Sequence, residues 1–213
     1  VMLIDLSVPI TSGMPVYPGD PEVLVTPALT VAADGVNVLA LHLGSQSGTH
    51  VDAPFHIDDS LPDLDELPLS RFMGPAVVVD VRGMPPRSAI PASAFSEVPP
   101  DVLVLVATGW SAYWGTERYL EHPYLSWGAA ALLVARRTRA VAIDALSVDP
   151  TPAQAFPAHR ELCGAHVVIG ENLTNLEPVI AAQRAGRPIE LSLLPIKIDS
   201  ADGAPVRAVA RVV

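Results

Sequence analysis

The sequence holds one cysteine, Cys163, and one lysine, Lys197, among its 213 residues. A lone cysteine excludes an intramolecular disulfide and any multi-cysteine zinc site, so a metal centre here has to be built from histidine and carboxylate. The same usage fits a reducing cytoplasm, and cytoplasmic localisation is the expectation. Lysine scarcity, with twelve arginines and 23 acidic residues, leaves a formal charge of −10. A phosphate-tracking surface is hard to assemble from that balance, so nucleic acid is not an expected partner. No apolar run approaches the roughly 18 to 20 residues of a membrane helix, and the first residues lack a basic-then-apolar leader pattern, so neither a membrane nor a secretory route is expected. A phosphate loop, a dinucleotide glycine fingerprint, internal repeats and low-complexity linkers are also missing.

Half of the residues are apolar and 17% are charged, a composition that buries a core, and the length suits a single domain over residues 1–213. Ile4 to Ser7 begins as a short strand. Met14-Pro15-Val16-Tyr17-Pro18-Gly19-Asp20-Pro21 follows as an ordered loop, because each proline disfavours helix in the residue before it. Tyr17, held by that rigid backbone, suits either the wall of a pocket or surface packing. Val36 to Leu43 alternates as a strand, and Leu61 to Met73 reads as a polar link with a short helix. Ala76 to Val81 and Val102 to Ala107 are buried strands. Ser126 is an N-cap for a helix through Ala129 to Arg137. Ala140 to Ile143 is a strand delivering Asp144, and a last helix follows Asn175, with Pro178 in its first turn and Gly186 past its end. Ile189 to Ile198 and Val206 to Val213 supply terminal strands, with Asp202-Gly203 between them as a tight turn. The fold class is therefore mixed α/β, rich in strands.

Chemistry concentrates in Gln46-Ser47-Gly48-Thr49-His50-Val51-Asp52-Ala53-Pro54-Phe55-His56. On a strand, His50 and Asp52 share a face with Cα atoms about 7 Å apart, so their side chains can converge on one ion. If the strand ran on from Val36 without a bulge, His42 and Gln46 would share that face, His42 as a strand residue behind the site. A second constellation lies downstream, with His159 at the start of a short helix and Glu171-Asn172 at the end of an apolar strand. Two imidazoles and two carboxylates suit Zn²⁺ or Mn²⁺ and leave a coordination position for water. Other chemistries fail on single residues. Gly44-Ser45-Gln46-Ser47-Gly48 has the outline of a nucleophile elbow but has glutamine at its centre. His159-Arg160-Glu161 begins a zinc deaminase pattern whose paired cysteines are missing. Asn172-Leu173-Thr174 fits a glycosylation sequon, which means little without a secretory signal.

Gly48-Thr49-His50-Val51-Asp52-Ala53-Pro54-Phe55-His56 strongly resembles the signature of the metal-dependent cyclase family, which includes bacterial kynurenine formamidases and isatin hydrolases. The resemblance runs along nearly the whole chain, through Asp5-Leu6-Ser7, Tyr17-Pro18-Gly19-Asp20-Pro21, Thr108-Gly109-Trp110, Trp114-Gly115, Asp144 to Asp149, Glu171 to Leu176 and Pro205-Val206-Arg207. It implies a swivelling β/β/α domain, homodimeric or homotetrameric, with pockets near subunit contacts. It implies that His50 and Asp52 are metal ligands, Asp52 bridging if two ions bind, that His159 and Glu171 complete the second position, and that His56 carries protons. By the same resemblance Tyr17 contacts an aromatic substrate. One position departs: the family's commonest pattern has histidine where this chain has Gln46. A glutamine oxygen is a harder and weaker ligand than imidazole, which would favour Mn²⁺ or Mg²⁺ over Zn²⁺. Alternatively, Gln46 would hydrogen-bond substrate or metal-bound water.

The expected activity is metal-dependent hydrolysis of an amide, formamide or lactam C–N bond in a small aromatic substrate resembling N-formylkynurenine, using one or two Zn²⁺ or Mn²⁺ ions. Cyclisation, dehydration or lactone opening on the same metal is the enzymatic alternative. A non-catalytic small-molecule binding protein is the alternative from another class.

Overall fold

The computed structural model describes residues 1–213. Its centre is a nine-stranded mixed sheet in the spatial order Met2–Asp5, Val209–Val212, Ile189–Ser192, Met73–Asp80, Leu103–Ala107, Ala140–Ile143, Val168–Glu171, His50–Asp52 and Gly203–Pro205. The four middle strands, Met73–Asp80 to Val168–Glu171, run parallel, and the outer ones pair antiparallel. Parallel neighbours need crossovers, and helices Trp127–Ala135 and Pro157–Gly164 supply two of them. Leu103–Ala107 and Ala140–Ile143 are buried along their whole length, which explains their unbroken apolar sequence.

Side chains alternate between two cores. Leu103, Leu105, Ala140 and Ala142 join Val179 and Ile180 of the helix Glu177–Arg184 on one face. Val104, Val106, Val141 and Ile143 meet Leu133 and Leu162 of the two crossover helices on the other. Ser126 accepts a hydrogen bond from Ala129 N and caps the first of these helices, which starts two residues before the expected Ala129 and ends at Ala135.

The sheet curls because the chain leaves it no choice. Gly203–Pro205 and Val209–Val212 hold the ninth and second places in the order, about 34 Å apart in a flat sheet at ~4.8 Å per strand. The connecting backbone of Val206, Arg207 and Ala208 reaches only about 14 Å. Rolling the sheet brings its ends together: Ser7 bridges to Leu173, and Thr174 N donates to Leu6 O at 2.9 Å.

Three sequence expectations are corrected. Val38–His42 does not continue into the next strand; it pairs with Leu24–Leu29 in a separate hairpin, because the chain turns through 43–49 with Gly48 at φ 68°. His42 is therefore exposed and away from the buried histidines. Residues 61–72 form turns and a single 3-10 turn, Leu69–Arg71, where a short helix was expected. Asp202-Gly203 does not turn between two neighbouring strands. Gly203–Pro205 is itself a strand paired with His50–Asp52, and the pairing overrides the local turn preference.

That last strand tolerates no side chain at its first residue. A Cβ on Gly203 would lie 2.6 Å from Val51 O and 2.5 Å from Gln46 Nε2. At Gly164, by contrast, a Cβ meets nothing within 4 Å. Gly203→Ala is expected to destabilise by about 1–3 kcal/mol, lowering Tm by roughly 2–4 °C per kcal/mol, whereas Gly164→Ala leaves Tm unchanged or raises it. Thermal denaturation of both variants checks the contrast; equal Tm values would contradict it.

Candidate metal centre

His50 and Asp52 stand at i and i+2 on one strand, so both side chains leave the same sheet face. Glu171 is the direct antiparallel partner of His50 on the neighbouring strand, which places its carboxylate on that face as well. His159 comes from above, on the first turn of the helix Pro157–Gly164, which packs on the strand of Glu171. All four side chains are buried.

The nitrogens and oxygens interlock. His50 Nε2 lies 3.4 Å from Asp52 Oδ1 and 3.6 Å from Glu171 Oε2. His159 Nε2 lies 3.7 Å from Asp52 Oδ2 and 3.5 Å from Glu171 Oε1. Each carboxylate thus turns one oxygen to each imidazole. Ligand atoms of His50, Asp52 and Glu171 all fall within 4.8 Å of one another. Nitrogen and oxygen donors at such separations could share a divalent cation. Both oxygens of Asp52 are buried without a hydrogen-bond donor. A carboxylate left in that state is costly, and a cation is the partner that fits it.

Each imidazole is fixed through its other nitrogen. His50 Nδ1 is 2.9 Å from Gly48 O, so Nδ1–H donates to a carbonyl and Nε2 faces the cluster. His159 Nδ1 is 2.7 Å from Asp149 Oδ2. Asp149 also accepts from Ala158 N and His159 N, both at 2.9 Å, and so caps the helix that carries the histidine. Glu171 Oε1 accepts from Val148 N at 2.8 Å.

Electrostatics follow from this crowding. Burial alone would lower the His159 pKa, but the hydrogen bond to Asp149 and the nearby carboxylates of Asp52 and Glu171 overcome it and raise it to about 10. His50 is raised well above its ordinary value against the same burial, chiefly by Asp52. Burial would raise Asp52, yet the two imidazoles hold it below the usual carboxylate range.

The cluster opens into a cleft of about 290 Å³, lined among others by Tyr17, Asp20, Gln46, His56, Leu146 and Phe156. Tyr17 accepts from Ala153 N through its hydroxyl at 3.1 Å, leaving its ring as a wall. Phe156, at a left-handed φ of 45°, stands edge-on to His159 with ring centroids 5.9 Å apart. His56 is at the rim, its ring centroid 6.0 Å from that of His159. Burial disfavours its charged form, but the hydrogen bond to Asp202 and the charge of Asp52 raise its pKa. Of the residues expected at the site, His50, Asp52, His159 and Glu171 come together. Tyr17 and His56 line the cleft beside them, and Gln46 turns its amide to Asp202, with Nε2 donating at 2.9 Å. Asp149, Asp202, Asp20 and Phe156 were not anticipated. The Asp-Gly pair at Asp202 carries only a turn signal, and Asp149 enters only through the segment Asp144 to Asp149 of the family resemblance, with no role attached.

Comparison with known proteins places this geometry in context. The family described as "Putative cyclase" matches residues 4–150. A kynurenine formamidase of Geobacillus thermodenitrificans (strain NG80-2) is 32% identical over 212 residues, covering 98% of this chain and 96% of its own. A kynurenine formamidase of Salinibacter ruber (strain DSM 13855 / M31) is 33% identical over 222 residues, covering 98% and 97%. Among solved structures, an isatin hydrolase bound to the product analogue thioisatinate superposes with a TM-score of 0.86 at 22% identity over 99% of this chain and 92% of its own. A predicted metal-dependent hydrolase from Bacillus stearothermophilus gives 0.77 at 26% identity, covering 98% and 97%.

The raised histidines make a pH prediction for chelator-stripped protein. A folded-state pKa above the unfolded 6.5 contributes stability that is fully present below 6.5 and is lost as pH rises through the folded value, about 10 for His159. Stripped protein should therefore lose Tm as pH rises from 6.5 toward 10. Divalent metal needs the deprotonated ligands, so the Tm increment it produces should grow over the same interval. Thermal melts with and without metal across that range test both; a Tm of stripped protein that climbs with pH would contradict the assignment.

Proposed function

The chain belongs to the cyclase family, and from that membership and its buried cluster we propose that it is a metal-dependent hydrolase of the amide, formamide or lactam C–N bond in a small aromatic substrate such as an N-formyl arylamine. The observation that carries the reading is the pair of imidazoles and pair of carboxylates converging in a buried cluster, with both Asp52 oxygens lacking a donor. His50, Asp52, His159 and Glu171 hold one or two divalent ions, a donor set that suits Zn²⁺ or Mn²⁺. A bound ion supplies acidified water near neutral pH and a Lewis acid for the carbonyl oxygen.

The remaining steps belong to side chains of the chain itself. His56 takes the proton from the attacking water and passes it to the leaving nitrogen, so the amide and one water become a carboxylate and an amine. Tyr17 and Phe156 enclose an aryl group, and the cleft of about 290 Å³ limits the substrate to one or two rings. Asp20, half buried on the same wall, supplies a carboxylate to an amine on the substrate. Cys163, fully buried and free, is consistent with a cytoplasmic enzyme.

Assembly follows from the hairpin Leu24–Leu29 and Val38–His42, whose Leu24, Val31, Val38, Leu39 and Leu41 are all exposed. A two-stranded hairpin is marginal alone, and an apolar one of this kind marks an association surface. Its occupant is a second copy of the chain, giving a homodimer or a homotetramer.

Two experiments test these readings. Metal-loaded protein is offered formanilides, an isatin-type lactam and aryl lactones, and products are weighed by mass spectrometry. The expected result is cleavage of an amide with uptake of one water, loss of turnover on chelation, and a kcat lower by about 10²–10⁴-fold in His56→Ala with metal content retained. Full turnover in that variant would remove His56 from its role, and loss of water from a substrate would replace hydrolysis with dehydration. Separately, sedimentation of the double variant Leu39→Glu, Leu41→Glu should give monomer where the parent gives dimer or tetramer. A monomeric parent would overturn the assembly.

A further inference from the structure

Gln46, His56 and Asp202 form a closed triangle at the rim of the cleft. Gln46 Nε2 donates to Asp202 Oδ2 at 2.9 Å, His56 Nδ1 lies 3.1 Å from the same oxygen, and Gln46 Nε2 lies 3.3 Å from His56 Nδ1. We infer that Asp202 is the positioning residue for His56, and that Gln46 braces Asp202 and does not ligate metal.

The hydrogen atoms decide the arrangement. A carboxylate oxygen only accepts, so an unprotonated Nδ1 would set a lone pair against it at 3.1 Å; Nδ1 must carry hydrogen. In the neutral ring that leaves Nε2 as the basic nitrogen, the one free to take a proton within the cleft. An imidazole in water favours hydrogen on Nε2, so the pairing with Asp202 selects the opposite tautomer. Gln46 suits the brace because its NH₂ group donates to the carboxylate without adding charge.

The backbone makes this a built arrangement. Asp202 precedes Gly203, whose ladder partner is Asp52, and Asp202 O accepts from Ala53 N at 2.8 Å. The residue that orients the base is thus fixed on the same ladder as a residue of the metal cluster. Gly203 also leaves the space that the Gln46 amide occupies, since a Cβ there would come within 2.5 Å of Nε2. The NH₂ group of Gln46 is engaged in this triangle, which turns the amide toward Asp202 at the rim.

The catalytic consequence rests on the hydrolase reading, but the tautomer does not, and the two are measured separately. Ring ¹⁵N spectra of histidine-labelled protein, with His56 assigned by its loss in His56→Gln and recorded where the ring is neutral, should show hydrogen on Nδ1 in the parent. Asp202→Asn should move it toward Nε2 and lower kcat by about a hundred-fold, with KM, metal content and Tm little changed. Asp202→Glu should restore part of both. Gln46→Ala should retain the parental metal stoichiometry and lower kcat less than Asp202→Asn does. Hydrogen on Nε2 in the parent, or an unmoved tautomer in Asp202→Asn, overturns the positioning role; loss of a metal equivalent in Gln46→Ala overturns the brace. If no amide in the panel is hydrolysed, the function fails while the parental spectrum still decides this inference.

Discussion

Two carboxylates buried on one sheet face, Asp52 and Glu171, set the terms for everything around them. Buried carboxylates that lack partners are penalised by several kcal/mol, and Asp52 has no donor on either oxygen. Two imidazoles answer part of that charge, and a divalent cation answers the rest. The sheet can hold such a group because its order places His50–Asp52 next to Val168–Glu171 in a register where His50 opposes Glu171. A slip of one residue would turn these side chains into the opposite core. Neighbouring Val51 and Gly170 pack that opposite face, and the small Gly170 sits against Ala142, where a Cβ would meet the Ala142 Cβ at 3.0 Å. Close strand packing beneath the cluster and the geometry above it are one constraint.

Three histidines then acquire different characters from the acceptor at Nδ1. His50 rests against a backbone carbonyl, Gly48 O; His159 against a buried carboxylate, Asp149; His56 against Asp202, which is about a third exposed. A carboxylate behind an imidazole strengthens its basicity and fixes its direction more than a carbonyl does. Asp149 has a second task, since it caps the helix that brings His159 to the strand of Glu171. The helix position and the ring tautomer are therefore set by one side chain. At the rim the His56–Asp202 pair is in part open to solvent, and the hydrogen bond from His56 pulls Asp202 down to about 2, so the carboxylate accepts and does not compete for the proton.

What could be read from the chain depended on the range of each interaction. The i and i+2 spacing of His50 and Asp52, the Ser126 cap and the apolar runs at Leu103–Ala107 and Ala140–Ile143 are local, and the structure has them where periodicity puts them. The mixed, strand-rich fold class was legible for the same reason. Periodicity could not see the break after His42, because alternation continues on paper through a segment that turns at Gly48. Nor could a local signal identify Asp202: its partners Gln46 and His56 lie 156 and 146 residues away, and Asp-Gly favours a turn wherever nothing longer-ranged intervenes. Asp149 is only ten residues from His159, yet its role depends on the helix start at Pro157, which no spacing alone fixes.

One of the two shortest strands of the sheet connects these observations. Gly203–Pro205 is three residues long, but it pairs with the strand of the metal cluster, its first residue gives room to Gln46, and the residue before it holds His56. It is also where the chain must begin its return across the curl to Val209–Val212. Curling the sheet therefore closes the core and delivers Asp202 to the cleft in the same step. The glutamine at position 46 makes sense in that setting: a neutral donor satisfies Asp202 from one side while His56 satisfies it from the other. The family resemblance implies a histidine at this position, and the triangle gives the glutamine a physical use.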